Sequence, residues 1–193
     1  MEPDLVVPAD GPADRPGRGA SGLRNAIEWV VIVVGAFVVA LVVKTFLIQA
    51  FYIPSESMFP TLTEDDRVLV NKLSYRLHDV NRGDLVVFER PPNEPESDIK
   101  DLVKRVVALE GETIEERDGA LFVDGERLDE PYLQRGVESH DLAPTVIPPD
   151  HVFVMGDNRG SSRDSRFFGP IEEDLIVGRA FVKVWPLPDL ELL

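Results

Sequence analysis

The sequence predicts a mainly β protein, an antiparallel coiled sheet or open barrel, placed behind a single N-terminal transmembrane helix. Three observations predict it. Residues 27–48 form one long apolar run, IEWVVIVVGAFVVALVVKTFLI, in which Trp29 to Val43 carries no charge. Beyond it, short Val- and Phe-rich segments alternate with turn residues. No amphipathic stretch of helical length follows the apolar run.

Residues 1–26 are rich in Pro, Gly, Ala and Asp without apolar periodicity, and read as a disordered tail. The run 27–48, rising about 1.5 Å per residue as a helix, reaches roughly 30 Å, the thickness of a bilayer core. It shows no polar face, unlike the buried helix of a soluble protein. It is also longer than the apolar part of a cleavable leader, so it reads as an uncleaved anchor. Arg15, Arg18 and Arg24 precede it, and after Lys44 no basic residue appears until Arg67. That bias predicts a cytoplasmic tail, with residues 49–193 as an extracytoplasmic domain. In that domain the expected strands are 67–71, 84–88, 102–109, 120–123, 151–155 and 176–185. Asp118-Gly119 and Asp124-Gly125 are tight-turn signals, so 113–127 reads as successive hairpin strands. The Pro-rich stretches 90–100 and 134–150 read as surface loops.

The formal net charge of −15 argues against nucleic acid as a partner. There is no cysteine, which excludes disulfides and thiol nucleophiles. His78, His140 and His151 show no metal-ligand spacing, so neither metal nor cofactor is expected.

Three stretches can carry chemistry. The first is Phe51 to Leu62, FYIPSESMFPTL. Pro54 and Pro60 disfavour helix, and in an extended segment Ser55 and Ser57 would share one side with Glu56 turned away. Taken alone, this reads as a Ser/Pro turn leaving a membrane anchor ahead of a nucleophile loop. The second is the strand at 102–109, whose period of two puts Lys104 among Leu102, Val106 and Ala108. An ammonium drawn out of water loses protons more easily, and a neutral amine is the base that an isolated serine lacks; a lysine snorkelling from a strand edge is the alternative. The third is Gly156 to Arg166, GDNRGSSRDSR, where Asp164 and Arg166 can pair and small hydroxyls can orient an amine. An Asx-rich structural loop has the same composition.

The ordered set of an apolar anchor, PSESMFPTL, KRVVALEGE and GDNRGSSRDSR resembles the bacterial type I signal peptidases, membrane-bound Ser/Lys endopeptidases of family S26, across most of residues 27–184. The resemblance implies Ser57 as nucleophile, Lys104 as general base, Ser55 with Ser57 in the oxyanion hole, and Ser162 as the residue orienting the lysine. It assigns Asp157, Asn158, Asp164, Arg166 and Arg105 to structural support, and Ile53, Met58, Leu62 and Val103 loosely to the substrate pocket. It implies signal-peptide-bearing preproteins and the lipid bilayer as partners, with small residues preferred before the cut. Glu110-Gly111-Glu112 stands where relatives commonly have Pro-Gly-Asp, and the chain looks like a compact, single-anchor version. The alternative from another class is a membrane-anchored β domain that binds a protein partner without catalysis.

Overall fold

The computed structural model describes residues 19–95, 97–134 and 142–193. The chain divides into two compact units, residues 1–41 and 42–193. The first contains most of helix α1 (Gly19–Val42). Within it, Arg24–Val42 is long and apolar enough to cross a membrane, and Trp29, Val31, Phe37 and Val39 present their side chains to the exterior. The helix starts earlier and ends earlier than the expected span of 27–48. At its C-terminal end Val43–Leu47 widens into a π turn. Ile48 then adopts extended geometry because its backbone pairs with Asn71, a long-range contact that an apolar run does not disclose.

Among the described residues of the second unit, twelve strands follow in chain order. They are β1 (Ile48–Tyr52), β2 (Arg67–Asn71), β3 (Leu85–Glu89), β4 (Asp101–Ala108), β5 (Thr113–Arg117), β6 (Ala120–Val123), β7 (Glu126–Arg127), β8 (Thr145–Val146), β9 (His151–Met155), β10 (Ile171–Glu172), β11 (Ile176–Trp185) and β12 (Glu191–Leu192). Two one-turn helices, α2 (Ser74–Leu77) and α3 (Ser165–Phe168), interrupt them. The larger sheet runs β1-β2-β11-β3-β4-β9-β10, with β12 added on β11, and every pairing in it is antiparallel. Register shifts along β11 and at Val106–Ala108 in β4 bend this sheet. The smaller sheet runs β7-β6-β5-β8. The mainly β architecture expected from the sequence is the one observed.

The apolar runs in the central strands reflect burial on both faces. Leu85 and Val87 enter one core cluster with Ile53, Met58, Leu62, Val68, Val70 and Ala180. Val86 and Phe88 point the other way, into a cluster with Val106, Val152 and Val154. Phe153 and Met155 belong to a third cluster with Val107, Ile114, Leu121 and Ile147, which joins the small sheet to β4 and β9. At about 25 cal/mol per Å² of apolar surface withdrawn from water, such two-sided burial is the main force closing the sheets. The hairpin turns follow their residues: Asp118 and Gly119 lie at φ 52° and 72°, and Asp124 and Gly125 at 51° and 81°. Two consecutive positive φ values make a type I′ turn, whose twist matches its strands. Gly111 also has positive φ, 77°. Beside it Glu112 accepts from the Leu109 N–H (2.7 Å) and from Arg82 (2.6 Å), so the altered turn after β4 remains closed.

Candidate active site

Ser57 does not lie in an extended segment. Ser55 is extended at φ −152° and ψ 158°, but Glu56–Met58 forms a single 3-10 turn, closed by the Phe59 N–H on Glu56 O (3.0 Å). Local turn closure outweighs the bias of the flanking prolines, which act on Ile53 and Phe59 and leave residues 56–58 free to coil. Met58 anchors the turn in the first core cluster, and the Leu62 N–H closes on Met58 O at 3.0 Å. Even so, the two hydroxyls are brought together, with Ser55 Oγ 3.4 Å from Ser57 Oγ.

β4 presents Lys104 to this turn. Its side chain is 3% exposed, its Nζ lies 2.6 Å from Ser57 Oγ, and Val86 pairs with it across the sheet. Burial pushes the Lys104 ammonium down to about 8, against the carboxylates of Asp164 and Asp157, which favour the charged form. At that value the amine is neutral in a useful fraction of molecules near neutral pH, whereas a free lysine is almost wholly charged.

The loop after β9 supports both groups from behind. The Asn158 N–H donates to Ser57 O and its side-chain amide to Glu56 O, each at 3.1 Å, so the nucleophile turn is held at two carbonyls. Gly156 is required by space: a Cβ there would lie 2.4 Å from Ser57 O and 2.2 Å from Ser162 Oγ. Asp157, fully buried, accepts a forked pair from Arg105 (2.9 and 2.7 Å) and a bond from Thr61 Oγ1 (2.5 Å). Asp164 caps α3 at the Arg166 N–H, pairs with the Arg166 guanidinium at 2.8 Å and accepts from the Gly156 N–H at 3.0 Å. Burial alone would raise its carboxyl. The bonds and charge of Arg166 overcome that and hold it below the usual range.

The structure therefore assembles Ser57, Lys104 and Ser55, with Arg105, Asp157, Asn158, Asp164 and Arg166 around them. Ser162 is buried beside Asp164 and helps keep that carboxyl low, but its Oγ meets no partner at hydrogen-bonding geometry, Lys104 included. Ile53, Met58 and Leu62 are core residues, at 2%, 1% and 0% exposure, with Val103 packed against them. They form the floor under the serine turn. Thr61, Gly156, Arg159, Glu130 and Tyr132 also belong to this region, and nothing in their local sequence marked Glu130 or Tyr132. Among the described residues no group of three His, Asp or Glu side chains is disposed to hold a metal ion.

Residues 26–185 match the family model described as signal peptidase, peptidase S26. The chain belongs to this signal peptidase family. A signal peptidase I of Leptolyngbya laminosa is 38% identical over 188 residues, covering 96% of this chain and 91% of its own length. A probable signal peptidase I-2 of Synechocystis is 38% identical over 161 residues, covering 83% and 73%. A signal peptidase IB of Staphylococcus aureus is 33% identical over 185 residues, covering 87% and 94%. A crystal structure of a signal peptidase I from Enterococcus faecalis aligns with 53% of this chain and 97% of its own, at 28% identity and a TM-score of 0.45. Signal peptidases of this family are serine peptidases, and the non-catalytic reading of the domain is not favoured.

Proposed function

We propose that this chain is a membrane-bound endopeptidase that removes N-terminal signal peptides from exported preproteins, with Ser57 as nucleophile and Lys104 as general base. The observation that carries the proposal is the 2.6 Å approach of a buried lysine amine to a serine oxygen. With the amine neutral, the Ser57 O–H donates to Nζ. As Oγ attacks the scissile carbonyl, the proton passes to the amine and a tetrahedral oxyanion forms. The Ser57 backbone N–H and the Ser55 hydroxyl, 3.4 Å from Ser57 Oγ, are the donors assigned to that oxyanion, and a donor of this kind typically contributes about 2.7 to 4 kcal/mol. The resulting ammonium protonates the leaving amine, giving an acyl-enzyme and a freed mature N-terminus. Water, deprotonated by the same lysine, then hydrolyses the ester and restores Ser57.

Ser162 is the residue proposed to orient Lys104; its buried hydroxyl lies beside Asp164, a carboxylate that favours the charged amine. Arg105, Asp157, Asn158, Asp164 and Arg166 hold the dyad in register, while Ile53, Met58, Leu62 and Val103 shape the ground beneath the substrate. Helix α1 is proposed to anchor the chain in the bilayer with the tail cytoplasmic and residues 49–193 outside, in keeping with the arginines before the span. Few residues separate Val42 from Ser57, so a precursor tethered in the same membrane comes within reach of the serine. The decisive experiment incubates the full-length, detergent-solubilised protein with a secretory precursor. Cleavage by the wild type and none by Ser57→Ala supports the proposal, and an intact precursor in both refutes it.

A further inference from the structure

The segment leaving the small sheet after β7 reaches into the ground of the active site. Glu130 receives the Arg159 guanidinium in a fork, at 2.5 Å and 3.3 Å. The Arg159 side chain is 2% exposed and that of Glu130 is 10% exposed, so both charges are withdrawn from water. Arg159 also donates from Nε to Gly156 O at 3.0 Å, and Gly156 is the residue whose lack of a side chain admits Ser57. Two residues beyond Glu130, the Tyr132 hydroxyl donates to Glu130 at 2.8 Å. The Tyr132 ring lies under the Arg105 guanidinium, 3.9 Å from ring centre to Cζ. Arg105 is the neighbour of Lys104 on β4 and the partner of Asp157. One short segment thus holds two of the guanidinium groups that brace the dyad, Arg159 through Glu130 and Arg105 through Tyr132.

We propose that Glu130 and Tyr132 are positioning residues for the dyad, Glu130 by balancing the buried charge of Arg159 and Tyr132 by fixing the plane of Arg105. The proposal rests on the assignment of Ser57 and Lys104 made above. The charged groups around Lys104 occur as pairs: Asp157 with Arg105, Asp164 with Arg166, Glu94 with Arg163, and Glu130 with Arg159. Glu56 on the nucleophile turn is exposed and screened by water. Deleting the charge of Glu130 leaves Arg159 as a buried, unbalanced cation bonded to Gly156 O behind the dyad, and a like charge disfavours the ammonium. The base then remains neutral to lower pH. Removing the Tyr132 ring instead frees Arg105, and with it the β4 backbone and Asp157, without changing any charge.

The test measures kcat and KM for a precursor peptide across the acid limb of the pH profile, using full-length protein in detergent, with rates normalised to the folded fraction. Glu130→Gln is expected to move the acid limb to lower pH, and Glu130→Asp, which keeps the charge, to leave it in place. Tyr132→Leu is expected to lower kcat about tenfold with KM near the wild-type value, and Tyr132→Phe, which keeps the stacked ring, to recover most of that loss. A limb that stays fixed in Glu130→Gln, or equal losses in Tyr132→Leu and Tyr132→Phe, overturns the proposal; if Glu130→Gln does not fold, the tyrosine pair decides. Ser57→Ala runs alongside. Activity in that variant would sink the dyad itself, whereas a silent Ser57→Ala with an unmoved limb in Glu130→Gln sinks only the role given to Glu130.

Discussion

Replacing Lys104 with methionine should destroy activity and, at neutral pH, stabilise the fold. The side chain is almost wholly buried, and burial lowers its ammonium from 10.5 to about 8. A drop of roughly 2.5 pH units at about 1.4 kcal/mol each means that the folded protein carries about 3 kcal/mol of unfavourable charge burial whenever the lysine is protonated in both states. Methionine has a similar length and no charge. It forfeits the hydrogen bond to Ser57, worth about 1 kcal/mol, so the net gain is about 2 kcal/mol. The sign depends on pH. Below about 8 the penalty is fully present. Between there and the unfolded value the folded lysine is already neutral while the unfolded one still binds a proton, so wild-type stability rises with pH. Above the unfolded value the penalty is gone and the variant keeps only its lost hydrogen bond. Thermal unfolding of full-length protein in a mild detergent should therefore show Lys104→Met melting higher by about 4–8 °C at neutral pH. At strongly alkaline pH the order should reverse slightly. A variant that melts lower at neutral pH, or whose advantage does not change with pH, would refute the picture of a lysine held neutral by burial. Cleavage at the wild-type rate would refute its role as base.

Wild-type kcat/KM should be full above about pH 8 and fall about tenfold per unit below it, because protonation removes the base; a flat profile into acid pH contradicts this. Ser57→Ala should lose on the order of 10⁶-fold in kcat in a precursor assay, with the melting temperature little changed. Ser55→Ala should lose roughly 10²–10³-fold in kcat while KM hardly moves, as expected for a donor engaged only in the transition state. Gly156→Ala places a methyl 2.4 Å from Ser57 O, and the displaced turn should reduce kcat by about 10²-fold. Asp157→Ala strands the Arg105 guanidinium, 11% exposed, and should destabilise the domain by about 3–5 kcal/mol in denaturant titration.

The features legible in the sequence are those fixed by neighbours along the chain. The Asp-Gly pairs at 118–119 and 124–125 specify turns through their own backbone freedom, and the strands at 67–71, 120–123, 151–155 and 176–185 fall within the expected bounds. Lys104 was legible because period two sets it among apolar neighbours, and the strand is indeed buried there. What failed depends on distant partners. β1 is missing from the expected strands, because only its pairing with β2 makes Ile48–Tyr52 a strand. The serine turn departs from the extended form that its flanking prolines predict, because the Asn158 bonds to Glu56 O and Ser57 O come from about a hundred positions away.

The ion pairs around the lysine explain how a cation-rich loop can serve a neutral base. Arg105 is the neighbour of Lys104 on β4, and Arg159, Arg163 and Arg166 stand in or beside the loop behind it; of these guanidinium groups Arg166 lowers the proton affinity of the lysine. Each is matched by a carboxylate, and three of those carboxylates, Asp157, Asp164 and Glu94, pull the ammonium back towards charge. Burial still wins, because paired charges act as dipoles whose fields largely cancel whereas desolvation acts on the ammonium directly. The proton affinity of the base is thus set by burial, opposed by several weaker charge interactions. It follows that no single support residue should behave as a simple structural contact: removing an acid from a pair shifts the pH at which the enzyme works as well as the temperature at which it melts.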